Sequence, residues 1–133
     1  MTGLIAVPVA SAKGRITVVV GDRTPAVGQR FVVTINTGYV VPTDDWLRLI
    51  AVAPGKDWYQ VVGTVTGDSS LTHATIPRDG FEIKVKWITP KQWRAVVRLP
   101  SPGRWRLVLP NGTHKGFMVP PPAAWMPWIE VHR

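Results

Sequence analysis

A two-residue alternation of apolar and charged side chains, cut at short intervals by Pro, Gly, Asp and Asn, constrains this chain more than any other feature. Successive side chains of a strand leave opposite faces of a sheet. Trp93–Leu99 (WRAVVRL) therefore places Trp93, Ala95, Val97 and Leu99 on one face, with Arg94 and Arg98 on the other. Arg104–Leu109 (RWRLVL) repeats the pattern, with Trp105, Leu107 and Leu109 inward and Arg104 and Arg106 outward. Phe81–Trp87 (FEIKVKW) is the clearest case. Phe81, Ile83, Val85 and Trp87 share one face, while Glu82, Lys84 and Lys86 share the other. No stretch holds apolar residues at helical spacing for more than about two turns.

The expectation is an all-β chain. Further strands are predicted over Arg15–Val20, Arg30–Ile35, Trp46–Val52, Trp58–Val65, Thr72–Ile76 and Lys115–Val119. Trp46–Val52 (WLRLIAV) is apolar almost throughout, which predicts a central position. Asn111-Gly112 predicts a tight hairpin joining Arg104–Leu109 to Lys115–Val119, because both central residues of a type I′ turn need positive φ. About seven to eight short strands so spaced fit an antiparallel β-sandwich or a small barrel. Pro120-Pro121-Pro122 ends the last strand, since proline has no N–H to donate. The predicted organisation is an apolar arm over 1–14, a sandwich over 15–119 and a Pro/Trp-rich tail over 120–133.

A chain of 133 residues is one domain and buries enough surface to need no disulfide or metal staple. It has no cysteine, which excludes disulfides, thiolate nucleophiles, zinc–cysteine sites, iron–sulfur clusters and blue copper. No apolar run approaches the ~20 residues that cross a bilayer, so no membrane span is expected. His73, His114 and His132 have no further histidine or carboxylate at a metal-ligand spacing. Met118 shares a strand face with His114 and reads as core. Ser11, Ser69, Ser70 and Ser101 sit in turns without a base to activate them. Asp44, Asp45, Asp57 and Asp68 stand where turn chemistry already favours aspartate. The expectation is a protein that is not an enzyme, with no metal and no cofactor.

Charge is more informative. The net charge is +8, and it is uneven: residues 1–66 hold six basic and four acidic side chains, residues 67–133 ten and four. By alternation Lys84, Lys86, Arg94, Arg98, Arg104 and Arg106 all face away from the core. If their strands are neighbours, they form one positive face suited to an acidic glycan, a nucleic acid or an acidic protein face. Of seven tryptophans, Trp87, Trp93 and Trp105 have inward parity, whereas Trp125 and Trp128 lie in the tail. Those last two, with Leu4, Ile5, Val7 and Val9 of the arm, are the candidate interaction residues for self-assembly or a protein partner.

Three stretches carry a resemblance. Asp44-Asp45-Trp46-Leu47-Arg48-Leu49 with Ala53-Pro54-Gly55-Lys56 resembles the third strand of some bacterial immunoglobulin-like modules. Arg94–Leu107, through Pro100-Ser101-Pro102-Gly103-Arg104-Trp105, is similar to their crossover, where one strand leaves a sheet and the next enters the other. Thr24–Val33 is similar to their opening segment. The resemblance covers most of residues 16–119, and it implies an immunoglobulin-like antiparallel sandwich.

Three functions follow as expectations. The first is a non-catalytic immunoglobulin-like binding or structural module of an extracytoplasmic or surface assembly, with a cytoplasmic location left open. The second is a virion or filament subunit of the capsid-decoration type, assembling through its terminal arms. The third is a single-stranded nucleic-acid binder on a β-barrel with a basic face. Ala10-Ser11-Ala12 fits an export-signal cleavage site, but no Lys or Arg precedes the apolar run and Pro8 interrupts it. An edge strand tolerant of proline suits that run better.

Overall fold

A computed structural model of the chain describes residues 16–38, 47–67, 73–110 and 121–133. Among these residues the elements are β1 (Thr17–Val20), β2 (Phe31–Asn36), β3 (Leu49–Val52), α1 (Trp58–Thr66), β4 (Gly80–Ile83), β5 (Lys86–Thr89), β6 (Gln92–Val97), β7 (Gly103–Val108) and β8 (Trp128–Val131). A 3-10 turn, Ala123–Trp125, precedes β8. The strands form two four-stranded sheets: sheet I in the order β1-β2-β6-β5 and sheet II in the order β4-β3-β7-β8. Every strand pair is antiparallel. The fold is all-β and sandwich-like.

Alternation builds the main core as the sequence predicts. Phe31, Val33 and Ile35 of β2, Trp93, Ala95 and Val97 of β6, and Trp105 and Leu107 of β7 turn inward with Ile129 and Val131 of β8. The crossover at Pro100–Gly103 does carry the chain from sheet I to sheet II. Trp105 sits beneath it, donating its indole N–H to the Ser101 carbonyl at 2.9 Å and meeting Phe81 edge-on at 5.9 Å.

All four residues of β3 are buried, which explains its unbroken apolar character. Leu49 and Ala51 enter the main core, while Ile50 and Val52 enter a second cluster with Val61, Val62, Val108 and Met126. β3 is central, with β4 and β7 on either side. The second cluster lies under α1, which covers the back of sheet II. Gly80 allows the close approach: a Cβ there would overlap the Ala51 carbonyl and a Val61 methyl.

Helix α1 replaces the strand predicted over Trp58–Val65. Asp57 caps it, accepting from the Tyr59 amide at 3.0 Å, and Gly67 closes it at φ 84°. Trp58, Val61, Val62 and Val65 fall at i, i+3, i+4 and i+7, so one stripe meets the sheet. The local alternation Tyr59, Val61 and Gly63 masked that stripe.

The predicted strand over Phe81–Trp87 is two strands in different sheets. β4 ends at Ile83 in sheet II, and β5 begins at Lys86 in sheet I. Trp87 is in register with Trp93 but lies on the edge strand, 56% exposed, and is not core. The short strand predicted over Thr72–Ile76 is absent from its described part, residues 73–76, which belong to a turn region. Asp79 organises that region: its carboxylate accepts from the Thr75 amide at 2.8 Å.

In the Pro/Trp-rich stretch, the described residues 121–133 pack on the sandwich. β8 pairs with β7, and Trp125 is buried, its indole N–H donating to the Ile16 carbonyl at 2.9 Å. The end of the chain also runs parallel to residues 23–27. Glu130 N–H donates to the Arg23 carbonyl, His132 N–H to Pro25 and Val27 N–H to His132. The N-terminal arm, Trp46, the Asn111-Gly112 hairpin and Lys115–Val119 lie outside the described residues.

Candidate functional site

The six outward-facing cations do not make one face. β6 and β7 belong to different sheets, so Lys86, Arg94 and Arg98 lie with Lys84 on the sheet I side, and Arg104 and Arg106 on the outside of sheet II. The two groups differ in how far their charge is already spent.

On sheet II the charge is satisfied internally. Arg104 forms an ion pair with Glu130 at 3.0 Å, directly across β7 and β8. Arg106 donates from Nε to the Met126 carbonyl at 3.1 Å. Both guanidiniums also lie 4.2 Å from the Trp128 ring centroid. Burial first, and the neighbouring Arg104 charge second, lower the basicity of Arg106. Trp128 is therefore engaged by its own sheet.

On sheet I the cations lack carboxylate partners among the described residues, and Arg94 donates to the Gln92 side-chain oxygen at 3.3 Å. Lys86 and Arg94 are directly opposed on β5 and β6, and no carboxylate of the described residues pairs with either. Like charges directly opposite on a sheet are destabilising. Lys84 and Arg98 are likewise exposed without an acidic partner among the described residues. Between these cations stand exposed aliphatics, Ile88 at 42% and Val96 at 49%. Lys84, Lys86, Ile88, Arg94 and Val96 line a shallow groove of about 300 Å³. Val32 opposite Val96, and Val19 on β1, extend the apolar strip across the sheet.

Behind the same edge strand lies a cleft of about 480 Å³, where the chain crosses from β4 to β5. Leu47, Ile83 and Val85 line it with Trp87 and Trp93, and Glu82, Lys84 and Lys86 complete it. Arg48 takes both oxygens of Glu82, at 2.6 and 3.1 Å, and this hydrogen bonding raises the basicity of Arg48. The buried Trp93 indole N–H has no acceptor among the described residues. Such an orphaned donor costs about 1–3 kcal/mol.

A third hollow, of about 200 Å³, is lined by Lys56, Asp57, Gln60, His73 and Asp79. Its acidic groups are committed: Asp57 caps α1, and Asp79 holds the Thr75 amide and faces Lys56 and Arg78 at 3.5 Å. Among the described residues no three His, Asp or Glu side chains gather as a metal site. No described helix is long and apolar enough to cross a membrane.

Of the predicted interaction residues, Trp125 is core and Trp128 lies on sheet II, while Leu4, Ile5, Val7 and Val9 are outside the described residues. Sequence reasoning missed Trp87 as a surface residue, and Ile88 and Val96 as partners of the cations. The signal was available in Val96 and Val32, apolar residues at outward parity on their strands. No protein-family model matches the chain, and no curated protein is significantly similar to it.

Proposed function

We propose that the chain is a non-catalytic immunoglobulin-like binding module of an extracytoplasmic or surface assembly, and that the outer face of sheet I docks an acidic face of a partner protein. The strand order supports the immunoglobulin-like assignment. β1-β2-β6-β5 against β4-β3-β7-β8 follows the A-B-E-D and C′-C-F-G orders of such sandwiches. One observation carries the docking face: the opposed Lys86–Arg94 pair, without a carboxylate partner among the described residues, beside exposed Ile88 and Val96. Cations around an aliphatic strip suit a flat protein surface with complementary charge. The back of sheet II is less suited, because α1 covers part of it and Glu130 neutralises Arg104.

The test is a photo-cross-linking side chain placed at Val96, and separately at Arg104, in the cells that make the protein. Capture of one discrete protein species at Val96 is expected, lost on Lys86→Glu with Arg94→Glu and absent at Arg104. Equal capture at both positions, or capture indifferent to charge reversal, refutes the docking face.

A further inference from the structure

We propose that the cleft between β4 and β5 binds the uronic-acid unit of an acidic glycan, a second site distinct from the docking face. Its volume, about 480 Å³, lies in the roughly 300–1,000 Å³ range of small-ligand sites. Three features of its wall each ask for a different part of one ligand.

Trp93 asks for an oxygen. The residue is 4% exposed, lines the cleft, and carries an indole N–H without an acceptor among the described residues. Buried polar groups are normally paired, and the rare exceptions point to a missing partner. Trp87 asks for an apolar ring face. It is 56% exposed and stands across from Trp93 in the β5–β6 register. An indole presents a broad flat surface, against which the C–H face of a pyranose packs while its hydroxyls stay wet.

Lys84 and Lys86 ask for an anion. Glu82 is the acidic residue in the cleft wall, and Arg48 occupies both of its oxygens. No carboxylate of the described residues forms an ion pair with either lysine.

Other ligand classes meet fewer of these demands. A neutral sugar leaves the lysines unpaired. An aliphatic acid leaves the Trp87 face open. A free phosphate has no apolar face at all. A pyranose bearing a carboxylate answers all three, with the ring on Trp87, an oxygen toward Trp93 and the carboxylate at the lysines. Trp87 and Trp93 have inward parity and Val96 outward, so the two sites lie on opposite sides of the β5–β6 pair and share the two lysines.

The experiment titrates the full chain with trigalacturonate, following tryptophan fluorescence, with neutral maltotriose and benzoate as comparison ligands. Saturable quenching by trigalacturonate is expected, with maltotriose at least about tenfold weaker. Trp87→Ala is expected to weaken binding about tenfold or more. Lys84→Ala with Lys86→Ala should do the same and flatten the salt dependence. Trp93→Phe, which removes the orphaned donor, should weaken binding about fivefold while leaving the unfolding midpoint unchanged or raised. Lys56→Ala, which removes a cation outside both sites, should bind as the parent does; the docking face is read by cross-linking at Val96 and the cleft by quenching, so their failures are separable. Absence of quenching at about 10 mM ligand, equal binding of maltotriose, or an unaltered Trp87→Ala variant would each overturn the site. Benzoate binding more tightly than trigalacturonate overturns the sugar assignment. Trp87 is exposed, so its alanine variant keeps the test valid even if Trp93→Phe fails to fold.

Discussion

Single side chains here set charge as much as they fill space. Arg48 is the sharpest case, because its two bonds occupy Glu82, the carboxylate that lines the cleft with Lys84 and Lys86. Arg48→Ala is expected to cost about 1 kcal/mol of stability, measured by urea denaturation, as befits a bidentate pair that is partly exposed. The same change frees the Glu82 carboxylate and should weaken trigalacturonate binding. Asp79 works through pH. The Thr75 amide, and behind it the charges of Lys56 and Arg78, hold its carboxyl below the usual carboxylate range. The unfolded chain therefore binds that proton at a higher pH than the folded one. The stability Asp79 supplies is present above about pH 4 and is lost as pH falls through the lower folded value. Denaturation midpoints of the parent and of Asp79→Asn should stay a constant distance apart from about pH 7 to 5 and converge as pH falls below about 4. None of this was legible from the residue types. The roles of Asp79 and Arg48 depend on partners 4 and 34 positions away.

At the scale of elements, alternation was a sound guide wherever a strand has one wet face. β2 and β6 follow it residue by residue, β7 does so as far as Leu107 before Val108 is buried on the other face, and β3 announced its two covered faces by dropping it. It failed in two places for definite reasons. Phe81–Trp87 keeps perfect parity across a change of sheet, so the pattern hides the crossing at residues 84–85. Trp58–Val65 satisfies a helical stripe and a partial alternation together, and the arbiter lies outside it, in Asp57 and Gly67. That cap is testable. Asp57→Ala should destabilise the protein by about 1 kcal/mol in chemical denaturation, the usual cost of losing an N-cap acceptor. An unchanged midpoint would mean that burial of Val61 and Val62 alone holds the helix.

At the scale of the whole molecule, the sequence located the positive charge but could not distribute it. Six cations of one parity became two groups because consecutive strands β6 and β7 joined different sheets. Partnership with Glu130 and Trp128 then set the two groups apart. The same topology brings the last strand beside residues 23–27 in parallel, through bonds from Val27, Glu130 and His132. Force changes the meaning of that contact. Pulled from its two ends, a parallel pair is loaded in shear, so its bonds must break together, whereas a hairpin pulled open at its mouth unzips bond by bond. The protein is expected to resist stretching through this short clamp more than its modest length suggests. Val27→Pro removes the donor to His132 and should lower the rupture force in single-molecule stretching, with little change in which strands form. Tension applied across residues 23–27 and β8 would thereby run along the two segments rather than across them.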